Sequence, residues 1–193
     1  GNAIDAIVAA KFAATLTELP LTSLGGGGAC TWGSAEIGYK VLDFFAATPG
    51  CGLETLPVRD FVPISVDFGQ TTQVFHIGKS AAAIPGELLG LLDLHQRAGR
   101  LPLSAVLAPA VAWARDGFPV SAQIEMMMRA IAPIARHSPS VAALFQRSGR
   151  LPGAGDRLAN PLLGDFLHAL GEHPARVMVA RYWASLVEHF GLA

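Results

Sequence analysis

The sequence predicts an α+β domain in which helices outnumber strands. Two observations carry this. Residues 84–121 read as two helices back to back: Leu88, Leu91, Leu92 and His95 recur at helical spacing in the first, and residues 103–113 form an apolar run in the second. Upstream, residues 29–33 and 39–46 read as the two arms of a hairpin joined by residues 34–38. At 193 residues the chain is long enough for one domain with its own core. It shows no internal repeat and no dividing linker, so residues 1–193 are expected to form a single domain.

Taken in order, Gly1-Asn2-Ala3-Ile4-Asp5-Ala6 opens a helix whose apolar face holds Ile4, Ile7, Val8 and Phe12. Leu19-Pro20 ends it. Four glycines follow, Gly25 to Gly28. Glycine-rich loops expose backbone N–H groups that can cradle a phosphate. No Lys-Ser/Thr pair follows this one, and residues 29–32 read as strand, so the nucleotide-binding pattern fails. The run predicts instead a close approach of backbones between layers. Pro49-Gly50 and Gly52 break the chain. Residues 56–66 contain Pro57 and Pro63, which predicts loop or short helix rather than a central strand. Asp67-Phe68-Gly69 matches a kinase magnesium motif, but none of that motif's companions is present. Residues 73–77 alternate as a short strand does.

Pro85 suits the first turn of the helix that follows, and Gly99 stops it. Pro109 is expected to kink the next helix or to mark a fresh first turn. That helix closes with Arg115 in its last turn and Gly117 beyond, and Ser121 is placed to cap its successor. Met126, Met127 and Met128 predict core packing or a helix flank rather than a flexible groove. Pro133 and Pro139 bound short helices, and residues 148–159 predict a surface loop. Asn160-Pro161 is a helix start with Leu162, Leu163, Phe166, Leu167 and Leu170 on its apolar face. A last helix begins at Pro174, with Met178, Tyr182, Leu186 and Phe190 in register, and Gly191 ends it.

Composition excludes several functions. Hydrophobic residues make up 51% and charged residues 15%, so either much of the chain is buried or a partner covers part of it. Formal net charge is -1 with no basic block, which leaves no footprint for nucleic acid. No apolar run reaches the roughly 18–20 residues of a membrane span. Cys30 and Cys51 allow one disulfide and read better as two inert thiols. The histidines show no paired metal spacing, and His168 and His173 each read as a single surface or core residue. Neither metal nor cofactor is expected. Serines, histidines and acids are present without a pattern that joins them into a triad.

Several of these segments together resemble a known family. The opening Gly1-Asn2-Ala3-Ile4-Asp5-Ala6 and the glycine run take part, as do Ile84-Pro85-Gly86-Glu87 and Gly99-Arg100-Leu101-Pro102. Leu107-Ala108-Pro109-Ala110 and Asp116-Gly117-Phe118-Pro119-Val120-Ser121 complete the set. In order and spacing they resemble the large-subunit part of gamma-glutamyltranspeptidases, self-cleaving members of the N-terminal nucleophile (Ntn) hydrolase group. The likeness weakens after Gln123 and returns at Gly155-Asp156-Arg157-Leu158-Ala159-Asn160-Pro161. It implies a fragment of a four-layer α/β/β/α sandwich, with most partner strands of the hairpin supplied from elsewhere. It also implies a chain truncated at both ends. The family has a strand and part of a helix before the opening motif, and a strand region and a second subunit after the position of Pro174.

By the same resemblance, the small second subunit begins at a threonine exposed by self-cleavage. Its free amine is general base for its own hydroxyl, and two backbone N–H groups hold the oxyanion. The reaction moves a glutamyl group from an amide such as glutathione to water or an amino acid. This chain has no Thr-Thr-His stretch, and Thr71-Thr72 is followed by Gln73. No catalytic residue is therefore expected within it. The expected partners are the small subunit and a small gamma-glutamyl or acyl amide. The family's large subunit contributes an arginine that clamps the glutamyl carboxylate, in a Leu-Asp-x-Arg-Glu-x-x-Pro setting. Here the stretch reads Leu42-Asp43-Phe44-Phe45-Ala46-Ala47-Thr48-Pro49, with Phe45 at the arginine's place. A phenyl ring makes no bidentate bond to a carboxylate. Phe45 is thus the one expected substrate-binding residue, and a non-glutamyl acylase of the cephalosporin-acylase kind is the second reading. A non-catalytic remnant with a structural role and an unrelated helical binding protein are the readings from other classes. Strand alternation sends Phe44 and Phe45 to opposite faces, one to the core and one toward the site. The compartment stays open between cytoplasm and periplasm or secretion.

Overall fold

The computed structural model of the chain describes residues 1–19, 21–50, 54, 60–145, 150–178 and 184. Cys51, Tyr182, Leu186, Phe190 and Gly191 lie outside the described residues.

Helix α1 (Ala3–Thr17) starts in a capping box. The Asp5 N–H donates to Asn2 Oδ1 at 3.0 Å, and the Asn2 N–H donates to Asp5 Oδ2 at 2.8 Å. Asp5 also reaches across the chain: its Oδ1 accepts the N–H groups of Arg100 (2.9 Å) and Leu101 (3.3 Å). Asn2 Nδ2 donates to Ala98 O at 2.7 Å. The start of α1 is thereby fixed to the turn between α2 (Glu87–Ala98) and α3 (Leu103–Asp116). Ile4, Val8, Phe12 and Leu16 are buried, an i, i+4 stripe, and Ile7 lies at its edge, 44% exposed rather than inward as expected.

The expected hairpin forms as β1 (Gly28–Ser34) and β2 (Gly38–Phe44), antiparallel, with Cys30 opposite Leu42 and Thr31 opposite Val41. A second hairpin joins β3 (Val62–Asp67) to β4 (Thr72–Ile77). This corrects the expectation of loop or short helix up to residue 66. Pro63 sits within β3, opposite His76. A two-stranded ladder leaves each strand an open edge, which is where proline's missing N–H does no harm. Asp67-Phe68-Gly69 is the turn of this hairpin: the Gly69 N–H donates to Asp67 Oδ1 at 2.7 Å and the Phe68 N–H to Thr71 O at 2.9 Å. A third pairing joins β5 (Phe118–Pro119) to β6 (Arg157–Leu158), so the segment expected as a surface loop ends in a short strand. The described strands thus make three separate two-stranded sheets.

Helix α3 is the hub of the core. It packs on α1 and on α7 (Pro161–Glu172), burying Leu107, Ala110, Ala114, Leu167 and Leu170 completely. Each such leucine contributes about 1.5–3 kcal/mol. α3 runs through Pro109 as one helix, so no fresh start occurs there. The α3 and α7 backbones come close because Gly164 carries no side chain: a Cβ there would fall 2.8 Å from Arg115 Cγ. This register leaves Leu162, expected inward, 83% exposed. Two cap readings also need correction. Pro85 stands two residues before the first residue of α2, whose N-cap is Gly86, and Gly99 closes α2 at φ -72 without entering the left-handed region. Gly117, at φ 83, does take a conformation that favours glycine. The remaining helices are α4 (Ala122–Ala130), α5 (Ala132–His137), α6 (Pro139–Phe145) and α8 (Pro174–Val177). Ser121 caps α4 as expected, its Oγ accepting the Ile124 N–H at 3.1 Å. Of Met126, Met127 and Met128, Met128 is buried and Met126 exposed.

The inward face of the β1–β2 hairpin, with Cys30, Trp32, Leu42 and Phe44, covers this helical core. The Phe44 ring lies against Gly90 of α2 so closely that a Cβ on Gly90 would overlap Phe44 Cβ and Cγ.

Two outcomes follow from this packing. Burial pushes the Asp5 carboxyl up, but the backbone N–H groups of Arg100, Asn2 and Leu101, with His95 nearby, pull it further down, below its ordinary value. A carboxylate so depressed contributes stability above its unfolded pKa of about 4, and loses it as pH falls through the lower folded value. Asp5→Asn should therefore melt well below the wild type at pH 7, and the gap should narrow in melts run below pH about 4. A gap that stays constant down to pH 3 would refute the assignment. Gly90→Ala gains about 1 kcal/mol of helix propensity. Displacing the Phe44 ring costs about 1–3 kcal/mol. The net loss of up to about 2 kcal/mol should lower the melting temperature by up to about 8 °C, at about 2–4 °C per kcal/mol; a rise would show that Phe44 is free to move.

Candidate functional site

The end of β2 forms a tight corner. Phe44 is half-buried with its ring against Gly90 of α2, and Phe45, the next residue, is 74% exposed. The corner is fixed from three sides. Asp43 Oδ1 accepts the Phe45 N–H at 3.0 Å. Ala47 and Ile84 exchange two backbone hydrogen bonds, at 3.0 and 2.8 Å. Gly27 and Gly86 lie so near the backbone of residues 44–46 that a Cβ on either would overlap it. The expected close approach of the glycine run is thus real, and its partner is the turn that carries Phe45. Gly26 O accepts the N–H groups of both Gly86 and Glu87 at 3.0 Å, so the glycine run also caps the start of α2.

The hairpin's outward face continues from this corner. Tyr39, Val41, Asp43 and Phe45 share it by alternation, and Tyr39 and Val41 are 87% and 67% exposed. It is an apolar stripe ending in an aromatic ring, with one carboxylate beside it. No ion pair reaches Asp43 among the described residues.

Beneath the corner lies a charge pair that the sequence reading missed. Lys11 Nζ is 3.0 Å from Glu87 Oε1, and Glu87 is fully buried. Its only sequence signal was a lone lysine in an otherwise apolar, alanine-rich helix.

Other polar groups do not converge. A cleft of about 630 Å³ between α3 and α7 is lined by Ser104, Arg115, Asp116, His168 and Glu172. Arg115 is tied to Asp165 at 2.8 Å. No hydrogen bond joins Ser104, His168 and Glu172 among the described residues. His95 Nε2 contacts Leu101 O at 3.0 Å and serves the turn at Asp5. Cys30 is a free thiol on the hairpin's inward side. Among the described residues no three metal-ligating side chains gather, and no helix is long and apolar enough to cross a membrane.

Comparison with known proteins accords with this geometry. Residues 1–182 match the family model described as gamma-glutamyltranspeptidase. A "Glutathione hydrolase proenzyme" of Pseudomonas aeruginosa is 33% identical over 121 residues, 63% of this chain and 20% of that protein. An "Acylase ACY 1 proenzyme" of a Pseudomonas species (strain SE83) is 32% identical over 160 residues, 82% of this chain and 28% of that protein. The chain thus spans between a fifth and a third of the length of these relatives. The crystal structure of Helicobacter pylori gamma-glutamyltranspeptidase superposes with a TM-score of 0.79 at 24% identity, covering 97% of this chain and 52% of that one. This likeness establishes the fold. With the glycine-clamped corner, the two-helix motif and the family match over residues 1–182, the chain belongs to the gamma-glutamyltranspeptidase family.

Proposed function

We propose that this chain is the scaffold and pocket-forming large-subunit part of a gamma-glutamyltranspeptidase-like enzyme, which cleaves gamma-glutamyl amides and passes the acyl group to water or an amino acid. Its nucleophile is an N-terminal threonine on a second subunit, outside these 193 residues. The observation that carries this reading is the outward stripe of Tyr39, Val41 and Phe45, exposed on one face of a hairpin whose other face is already packed. Such a face calls for a second layer. A sheet from the second subunit laid over it completes the four-layer α/β/β/α arrangement and brings the threonine to the hairpin's end. Both relatives named above are described as proenzymes, in keeping with a precursor that is cut in two.

In this arrangement the threonine amine takes the proton of its own hydroxyl, and the oxygen attacks the amide carbonyl. The protonated amine gives that proton to the departing amine, and water or an acceptor amine then releases the acyl group. The present chain's part is to hold the acyl donor. Phe45 faces the pocket at the place where a carboxylate clamp would stand. An exposed ring offers apolar contact and itself no cation, and Asp43 beside it has no ion pair among the described residues. That favours the second reading, an acylase whose acyl group carries no α-carboxylate.

Two measurements test this. The isolated chain should hydrolyse a chromogenic gamma-glutamyl anilide at the buffer rate. Turnover by the pure chain, abolished by a point change within it, would overturn the scaffold reading. In the complete enzyme, Phe45→Arg should raise the specificity constant for gamma-glutamyl donors by about ten- to hundredfold, since a charge-assisted bond contributes about 1.5–3 kcal/mol. A folded Phe45→Arg enzyme with unchanged preference between glutamyl and simple acyl anilides would remove Phe45 from the pocket.

A further inference from the structure

Glu87 has no part in the chemistry above, yet this acidic residue is only 1% exposed. Lys11 Nζ stands 3.0 Å from its Oε1 in a direction outside hydrogen-bond geometry, and no hydrogen bond reaches that oxygen among the described residues. A buried carboxylate with one ionic contact among the described residues is costly, and what that contact holds together is the question it raises. Lys11 Nζ also donates to Thr22 Oγ1 at 3.3 Å, just ahead of the glycine run. Glu87 Oε2 lies beside Gly28, 3.8 Å from where its Cβ would be. The Glu87 N–H shares Gly26 O with Gly86. The pair therefore ties α1, the glycine run and the first turn of α2 at one point. The run and the turn supply the two glycines, Gly27 and Gly86, that enclose the backbone of residues 44–46.

We infer that the Lys11–Glu87 ion pair positions the Phe45 corner: it sets the spacing between the glycine run and α2, and through Gly27 and Gly86 the place of the Phe45 ring. Lys11 and Glu87 touch no substrate; they are positioning residues. The structural half of this inference stands by itself, and its kinetic half rests on the proposed function.

The test uses the full-length, processed protein and the variants Lys11→Met and Lys11→Arg. Lys11→Met leaves Glu87 buried without its counter-charge, and Lys11→Arg keeps the charge. Amide hydrogen exchange is followed at Ala47 and Ile84 in the corner, and at Val120 and Gly155, which bond to the far loop. Lys11→Met should speed exchange in the corner by at least about tenfold, with Val120 and Gly155 unchanged, and Lys11→Arg should restore protection. Unchanged exchange in the corner, or equal acceleration at all four amides, would overturn the inference. For turnover the probes are γ-glutamyl-p-nitroanilide and glutaryl-p-nitroanilide. On whichever the wild type cleaves, Lys11→Met should raise KM about tenfold with kcat held within about threefold, the mark of a misplaced binding surface. A folded Lys11→Met enzyme with wild-type KM would refute the kinetic half. If the wild type cleaves neither anilide, the proposed function fails and the exchange pattern alone decides the positioning role.

Discussion

At the end of β2 the backbone of residues 44–46 passes between Gly27 and Gly86, with room for a Cβ on neither side. Much of the functional half of the chain follows from that contact. It drives the Phe44 ring down onto Gly90, and strand alternation then turns Phe45 outward. It brings Gly26 O over the start of α2, where two N–H groups would otherwise lack partners. It also explains why the glycines come as a run: a side chain at Gly27 would strike the corner, and one at Gly28 would press on the Phe44 ring.

Two acids in this fold are held in different ways. Asp5 is surrounded by backbone donors, which satisfy both of its oxygens without a full counter-charge. Among the described residues Glu87 has one counter-charge, a lysine that is itself a third exposed. The first arrangement is insensitive to side-chain motion, because backbone N–H groups are fixed by the helices that carry them. The second depends on a long, flexible side chain keeping its place. The family's opening motif contributes the first, and the second is assembled from α1 and α2.

The helical core was legible in the sequence because its periodicity is strong: the α2 and α3 pattern, the Ser121 and Asn160 caps and the β1–β2 hairpin all form where the residues placed them. What escaped was decided by neighbours rather than by local pattern. Pro63 argued against a strand, but a ladder of only two strands has edges that admit it. Leu162 fits the apolar face of α7 on a helical wheel, yet the glycine contact at Gly164 sets a register that turns it to solvent. The Phe45 corner was legible as a position in a motif, while the groups that hold it were not. Lys11 and Glu87 lie 76 residues apart and carry no shared local signal.

The capping contacts of α1 have a consequence for the order in which the chain assembles. Asn2 and Asp5 find their partners at Ala98, Arg100 and Leu101, about 95 residues away. A ribosome adding about 5–20 residues per second needs roughly 5–20 s to cover that distance. Through this interval the stripe of Ile4, Val8, Phe12 and Leu16 waits for α2 and α3, the helices it packs on. The β1–β2 hairpin, whose contacts are local, closes on a microsecond scale soon after it appears. The nascent chain therefore holds a closed hairpin and an apolar helix whose partners in α2 and α3 have yet to arrive.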